Sequence, residues 1–448
     1  MRYIPNTDQD RERMLQAIGV RSVGDLFADV PEAARLARPL RIPAALAEAD
    51  LMKHLRALAE KNADADRYRS FLGAGCYNHF SPAVVNHLIL RGEFLTAYTP
   101  YQPEISQGTL QALFEYQTLV CQLTGMEVSN ASMYEGASAT AEAILMAHRI
   151  TGRSEVVIAR AVHPEYRQVA RTYAAQIGLV FREIGFTEEG VTDATALGQA
   201  LGQQTACVVV QCPNFFGGVE DLAPLAEEAH AVGALCIVCV AEPIALGLLK
   251  SPGECGADLV TGEGQAWGVG LHYGGPALGF FATRDQYVRH MPGRLVGQTV
   301  DTEGRTGYVL TLATREQHIR REKATSNICT AESLIALMAT IYLTSLGPQG
   351  LREVALLNLR KAAYAKERLG KVKGCGLRFG GPTFNEFVLR LRRKPAALLR
   401  QLWKKEIIGG LDLGRFYPEL SDCLLLCVTE QNVREDIDAL VQAIGGMR

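Results

Sequence analysis

The segment from residue 98 to residue 108 carries side chains suited to contact a small ligand or a neighbouring chain. It reads Tyr-Thr-Pro-Tyr-Gln-Pro-Glu-Ile-Ser-Gln-Gly, and its two prolines restrict their own backbone and that of the residues before them. Tyr98 and Tyr101 each offer a flat apolar face with one hydroxyl, and Gln102 and Glu104 add polar groups. The same tyrosines also suit simple packing at a subunit interface, where aromatic residues are enriched, so both interpretations stay open.

A second candidate site is a cluster of three cations, Arg320, Arg321 and Lys323. Arginine binds carboxylate and phosphate groups through paired hydrogen bonds, and lysine adds a compact positive charge. The cluster therefore suits a substrate carboxylate or a phosphate. For Lys323 the sequence leaves other interpretations open, in which it contacts a partner chain or is an ion-paired loop residue.

Two predicted helix starts carry groups that suit a phosphorylated or flat ligand. The helix that opens at 136–140 includes Ser138, and its free N–H groups could hold a phosphate, although a tight helix entry would have the same pattern. His163 follows a predicted strand, where its ring could cover a ligand. Because Pro164 suits the first position of a helix, a plain helix start is the alternative at this position.

Strands and helices alternate through the middle of the chain, and this pattern determines how those side chains are positioned. Continuous Val- and Ile-rich runs joined by helices indicate an α/β fold with a mainly parallel sheet that is covered on both faces. The predicted strands are Val156–Val162, Leu179–Ile184, Ala206–Cys212, Leu235–Val240, a short strand from Asp258, and Leu278–Thr283.

The two ends of the chain differ from this alternating middle. The first residues are predicted as a helical arm, in which Thr7 caps a helix that stops at Gly19. From residue 331 two long helices lead into a small α+β unit with turns at its Gly-rich stretches. We therefore predict three domains, 1–70, 71–330 and 331–448.

Composition and charge exclude several classes of function. The 448 residues are 48% hydrophobic and carry a net charge of −2, so no broad basic field is expected to attract nucleic acid or a membrane. The N-terminus lacks the apolar core of a signal peptide, and no apolar run approaches the roughly 20 residues of a membrane span. Cys236 and Cys239 have no second pair that would complete a zinc site. A cytoplasmic protein without a metal site is expected.

Three strings of this sequence resemble the glycine decarboxylase P-protein family. They are the 98–108 segment preceded by Gly73–Asn78, the stretch 130–142 that begins Asn-Ala-Ser-Met-Tyr-Glu-Gly, and the stretch 315–330. The last reads Arg-Glu-Gln-His-Ile-Arg-Arg-Glu-Lys-Ala-Thr-Ser-Asn-Ile-Cys-Thr and is the most specific, and Gly293–Gly297 adds to it. The resemblance covers most of 71–346, and the chain length fits the separate alpha type of subunit.

The resemblance implies both a fold and a reaction. The fold is that of fold-type-I enzymes that use pyridoxal phosphate (PLP), with a mainly parallel seven-stranded sheet in a large domain and a small C-terminal α+β domain. In the reaction, glycine loses its carboxylate as carbon dioxide, and the aminomethyl group passes to the lipoyl arm of the H-protein. The expected partners are therefore glycine, lipoylated H-protein and a homologous beta subunit in an α2β2 assembly.

The lysine that such an enzyme needs to hold PLP is missing where the resemblance places it. The family has this lysine a few residues beyond a strand, where this chain has Gln265. Lys250 is the only lysine between residues 62 and 322. Glu242 stands where an acid should face the pyridine nitrogen, and the alpha chains of the family usually have aspartate there.

These departures lead to one main expectation and two alternatives. The degenerate cofactor pocket is expected to comprise Ser138, His163, Glu242 and Gln265. PLP is then bound covalently by the beta subunit, and the 98–108 segment reaches the site of that partner. As alternatives, a self-sufficient PLP enzyme would use Lys250 or Lys323, and a scaffold or regulatory protein would keep the fold without catalysis.

Overall fold

The computed structural model describes residues 3–392 and 394–446. The chain divides into two compact units, Met1–Ala63 and Asp64–Arg448. In the first unit Asp8–Ile18 and Glu48–Ala59 are helical, and Thr7 and Gly19 cap the first helix as predicted. None of the described residues 3–63 is buried.

A seven-stranded sheet forms the centre of the second unit. Its strands are β1 (Val128–Ser129), β2 (Glu155–Ala159), β3 (Val180–Ile184), β4 (Thr205–Gln211), β5 (Leu235–Val240), β6 (Leu259–Glu263) and β7 (Gly279–Thr283). They are ordered β1-β7-β6-β5-β4-β2-β3. The five strands from β6 to β3 run parallel, whereas β7 runs antiparallel to both of its neighbours. The prediction of a mainly parallel sheet is therefore confirmed.

Helices pack on this sheet, which explains why its central strands are apolar throughout. Every residue of β4 and β5 is buried, as expected for parallel strands covered on both faces. The helices of this region are Ala83–Ile89, Gly92–Leu95, Gln107–Thr124, Gly136–Thr151, Pro164–Ala174, Ala194–Ala200 and Leu222–Ala231. Because parallel strands end at one edge, β5 and β6 bring the residues that follow them, Glu242 and Gln265, to the same side of the sheet.

A hairpin and a long helix follow the sheet. The hairpin consists of β8 (Leu295–Val300) and β9 (Thr306–Thr311), and short helical turns lie at Gln317–Arg320 and Arg321–Lys323. The helix Ser333–Gly370 is broken at Gly347, as the two predicted helices require. By length and composition alone it is the one helix among the described residues that could cross a membrane, but half of its most apolar stretch is buried within the protein.

The C-terminal part of the second unit contains a four-stranded antiparallel sheet. Its strands are β10 (Cys375–Leu377), β11 (Glu386–Leu391), β12 (Leu411–Asp412) and β13 (Cys423–Cys427), in the order β10-β11-β13-β12. Helices Pro395–Trp403 and Arg434–Gly445 accompany it. Arg69–Ser70 pairs in parallel with Ile407–Ile408, so the chain enters the second unit beside this sheet. The predicted boundary between 330 and 331 stays a prediction.

Close packing of β6 between its neighbours leads to a first prediction. A Cβ at Gly262 would overlap the carbonyl of Val240 and the ring of Phe280, so Gly262→Ala should lower the free energy of unfolding by about 1–3 kcal/mol. The measurement is chemical denaturation. Gly185→Ala is the control, because no atom lies within 4 Å of a Cβ there. Equal stability of the two variants would contradict this packing.

Candidate functional site

Gln265 occupies the position at which a PLP lysine is expected, and the chain itself uses its whole amide group. Its Oε1 accepts a hydrogen bond from the backbone N–H of Tyr77 at 2.9 Å. Its Nε2 donates to the carbonyls of Tyr77 at 3.0 Å and Val269 at 2.6 Å. The side chain therefore fastens residue 77 to the end of β6, and it offers no amine to a cofactor.

Glu242 follows β5 and lies within a buried network of charged and amide groups. Its Oε2 is 2.9 Å from Nε2 of His79 and accepts from the Asn385 amide at 2.8 Å. His79 Nδ1 lies 2.7 Å from Oε2 of Glu430. Burial disfavours a charged ring, but the two carboxylates outweigh it and raise the pKa of His79 to about 10. The acid that was expected to face a pyridine nitrogen therefore already has a cation of the same chain beside it.

His163 is the cap of the helix Pro164–Ala174, so the helix-start interpretation of this residue is confirmed. Its Nδ1 accepts from the backbone N–H of Glu165 at 3.2 Å, and its Nε2 lies 2.9 Å from the carbonyl oxygen of Ala74. The ring stacks on Tyr166, with 4.8 Å between ring centroids. Burial lowers the pKa of His163, in accord with a neutral ring that donates from Nε2.

Ser138 lies at the start of the helix Gly136–Thr151, where two carboxyl groups take the free backbone donors. Glu135 accepts from the N–H of Ser138 at 2.8 Å, and the Ser138 hydroxyl donates to the Glu135 carbonyl. Glu263 accepts from the N–H groups of Gly136, at 3.1 Å, and Leu278, at 2.8 Å. Burial raises the pKa of Glu263 to about 7. The helix start is therefore a tight entry that the protein closes with its own acids.

Another buried carboxyl group, Glu386 of β11, was missed by sequence reasoning. It accepts from the hydroxyl of Tyr77 at 2.9 Å and from the backbone N–H of Ala74 at 2.7 Å. Burial raises the pKa of Glu386 to about 8, and the charge of Glu242 adds to the shift. The only signal in the sequence was the neighbouring string Gly73–Asn78, which carries part of the family resemblance but does not reveal its contacts.

The residues of this pocket do not fit pyridoxal phosphate. No amine is present at Gln265, and Glu263 lies at the helix start where the resemblance suggested a phosphate. A dianionic phosphate beside that buried acid would lose backbone donors and gain repulsion. Each of the four predicted pocket residues is therefore hydrogen bonded to groups of the folded chain, and we derive no chemical step from a cofactor bound here.

The 98–108 segment lies largely on the surface. Tyr98 is 82% exposed and Tyr101 is 54% exposed, and Gln102 and Glu104 are exposed as well. Arg294 fixes Tyr101, because its guanidinium donates to the tyrosine hydroxyl at 2.7 Å and lies over the ring. Arg294 belongs to the stretch Gly293–Gly297 that carries part of the family resemblance, but the sequence alone indicates no role for it.

Arg294 also connects this tyrosine to the most specific string of the sequence. The guanidinium donates to the carbonyl of Cys329 at 2.6 Å and to the hydroxyl of Thr330 at 3.2 Å. The ring of His318, from the same string, meets the Tyr101 ring edge at 5.9 Å between centroids. The tertiary structure therefore brings together two stretches that are more than 200 residues apart in the chain.

The predicted cation cluster lies on two short turns of that string. Arg320 ends the turn Gln317–Arg320, and Arg321 and Lys323 belong to the next one. All three side chains are exposed. Lys250, the other lysine considered for cofactor binding, is exposed in the turn before Ser251. Roles for these cations in binding an anion stay predictions.

The pKa of His79 leads to a prediction for stability. Its charged ring stabilises the fold fully below the ordinary pKa of about 6.5, and this contribution is lost as the pH rises toward about 10. The free energy of unfolding should therefore fall over this range by up to about 1.4 kcal/mol per pH unit, and His79→Gln should flatten the slope. Denaturation at several pH values tests this.

The control for that experiment is His87→Gln, since His87 is exposed. It should keep the slope of the unchanged protein. Glu386, whose raised pKa also makes the fold less stable as the pH rises above about 4.5, contributes equally to His87→Gln and the unchanged protein, so these two proteins should share one slope. Identical slopes for His79→Gln and the unchanged protein would show that His79 is not charged in the fold.

Solved structures resemble the whole chain. The crystal structure of a glycine decarboxylase (P-protein) of the glycine cleavage system, in inhibitor-bound form, matches with a TM-score of 0.91 and 45% identity, covering 100% of both chains. A sphingosine-1-phosphate lyase from Burkholderia pseudomallei has a TM-score of 0.61 at 16% identity and covers 93% of this chain and 94% of its own, which shows a shared fold alone. The predicted fold-type-I architecture is confirmed.

Sequence comparisons agree over the full length. Proteins from Desulforamulus reducens and Desulfitobacterium hafniense, each named probable glycine dehydrogenase (decarboxylating) subunit 1, are 53% identical over 447 and 448 residues and match 100% of both chains. The family model described as glycine cleavage system P-protein matches residues 1–444. The chain therefore belongs to the glycine cleavage system P-protein family.

Proposed function

We propose that this chain is the alpha-type subunit of a two-subunit glycine decarboxylase and completes a catalytic site carried by a homologous beta subunit. The observation that carries the proposal is Gln265, whose amide replaces the expected lysine and is fully hydrogen bonded within the chain. Relatives that match end to end are named as subunit 1, which supports a second subunit.

In this proposal the beta subunit binds PLP covalently, and the coenzyme supplies the electron sink for loss of the carboxylate. The aminomethyl group then passes to the lipoyl group of the H-protein. The present chain contributes binding and orientation. Tyr101 is suited to this task because Arg294 holds both its hydroxyl and its ring, so it loses little freedom when a ligand binds.

The surface around residues 80–105 supports a protein partner. It exposes the large apolar side chains of Phe80, Leu90, Leu95, Tyr98 and Ile105. Several such side chains within one stretch of sequence are typical of a surface that another chain covers. We propose that the beta subunit covers it in an α2β2 assembly, with Tyr98 and Tyr101 directed to the partner's site and Gln102 and Glu104 beside them.

The exposed cluster of Arg320, Arg321 and Lys323 is the proposed contact for an anionic group at that shared site, either a carboxylate or a phosphate. We place the protein in the cytoplasm, since its eleven cysteines are all free thiols. The alternative of a self-sufficient enzyme gains no support, because Lys250 and Lys323 are exposed whereas an activated amine is usually desolvated.

Reconstitution tests the proposed function. The chain alone, its lysine-bearing homologue alone, and the two together are each assayed with lipoylated H-protein. Exchange of label between bicarbonate and the glycine carboxylate should require both subunits. Exchange by this chain alone would support the self-sufficient alternative, and full exchange by the homologue alone would support the scaffold alternative.

Tyr101 offers a sharper test within the assembled enzyme. Tyr101→Phe removes the hydroxyl that Arg294 holds and that the proposal directs to the shared site, and loss of one contact of about 0.5–1.5 kcal/mol there should lower exchange by up to roughly tenfold. Arg294→Gln should have a similar effect. Initial rates at several glycine concentrations separate binding from turnover.

The matched control is Tyr173→Phe, a partly exposed tyrosine on the helix Pro164–Ala174. It should leave the exchange rate unchanged. Gel filtration of each variant with its partner checks assembly. If Tyr101→Phe assembles normally and exchanges at the unchanged rate, Tyr101 does not contribute to the shared site.

A further inference from the structure

One short segment, residues 74–79, hydrogen bonds to three of the four predicted pocket residues. The carbonyl of Ala74 lies 2.9 Å from Nε2 of His163. The backbone N–H and carbonyl of Tyr77 both hydrogen bond to the side-chain amide of Gln265. His79 completes the set through its 2.9 Å contact with Glu242. These contacts join residues that are between 89 and 188 positions apart, so the fold selects them rather than local geometry.

Two buried groups reproduce the charge pattern of a phosphorylated pyridine. The imidazole of His79 stands against the carboxylate of Glu242, where such a ligand would present a protonated ring nitrogen. The carboxyl group of Glu263 accepts from the first N–H of the helix Gly136–Thr151, where the ligand would present its phosphate. His79 and Glu263 therefore occupy the two positions at which the ligand would place its ring nitrogen and its phosphate.

Two glycines allow residues 73–79 to lie this close to the side chains of the pocket. A Cβ at Gly75, whose φ is +100°, would lie 3.0 Å from Nε2 of His163. A Cβ at Gly73 would overlap the carboxyl group of Glu386 and the Cβ of Cys427. Only glycine permits this close approach. This close packing indicates a specific contact, since a loosely packed loop would have room for a Cβ at both positions.

We propose that residues 74–79 are an internal occupant of the ligand pocket that the family resemblance implies, and exclude any phosphorylated pyridine ligand from it. With Glu263, the segment takes the hydrogen-bonding partners that such a ligand would use. It also ties the end of the central sheet to β11 through Tyr77, whose hydroxyl donates to Glu386. In this proposal the pocket residues stabilise the fold and do not bind a ligand. The inference concerns this chain alone and holds whether or not the proposed function does.

The first test uses the unmodified chain and the probe pyridoxine 5′-phosphate. This probe has no aldehyde, so it cannot form an imine with any of the lysines. We expect no stoichiometric binding by calorimetry and no change in Tm. The backbone N–H groups of Ala74 and Tyr77, which donate to buried side chains, should exchange slowly with deuterium, with or without the probe. Stoichiometric binding together with faster exchange at these amides would overturn the proposal.

The second test opens the pocket with His79→Ala/Glu263→Ala. The double variant frees Glu242 from His79 and the N–H of Gly136 from Glu263, and two restored hydrogen bonds to the probe should strengthen its binding by at least about tenfold over the unchanged chain. A rise in Tm with the probe would accompany this. The control His87→Ala/Glu93→Ala removes the same residue types from exposed positions and should gain nothing.

A folded double variant that binds the probe while the amides of Ala74 and Tyr77 exchange as slowly as in the unchanged chain would overturn the proposal, because the ligand would then bind without displacing the segment. Circular dichroism and gel filtration establish whether it is folded. If the double variant does not fold, the deuterium exchange of the unmodified chain decides the question, because that measurement needs no substitution. None of these readouts depends on glycine exchange, so they can fail or succeed independently of the proposed function.

Discussion

Pairing of buried charge is the constraint on which the centre of this protein depends. Glu242 and Glu386 are buried and Glu430 is partly buried, in a region where an isolated charge would be strongly unfavourable. His79 compensates two of them by standing between Glu242 and Glu430. Glu386 is instead held by neutral donors, and burial raises its pKa to about 8. The segment that contains His79 must therefore pass between Glu242 and Glu430.

The same constraint explains why glutamine suits position 265. An amide can donate and accept at once, and Gln265 does both with the backbone of Tyr77. A lysine ammonium has three donors and no acceptor, so it would leave the N–H of Tyr77 unpaired in a buried site. Glutamine at position 265 and the position of Tyr77 are thus explained by one set of hydrogen bonds.

The proposed function depends on the surface of the chain. Arg294 is nearly fully buried, yet it supports the exposed Tyr101 and binds the backbone of the 315–330 string. A rigid anchor beneath an exposed aromatic ring provides a preorganised contact for another chain. The family relationship, the missing amine and this anchored surface are consistent with a subunit that completes a site it does not contain.

The sequence by itself determined the mainly parallel sheet, the break at Gly347 and the glutamine at position 265. Strand Leu235–Val240 agrees with its prediction residue for residue, because an apolar run of that length between turns has few other stable states. The stretches 98–108, 130–142 and 315–330 also identified the family. Only the tertiary structure decided that His79 faces Glu242 and that Arg294 supports Tyr101. The members of the first pair are 163 positions apart and those of the second are 193 apart, and no periodic pattern reports contacts that arise when separate elements pack.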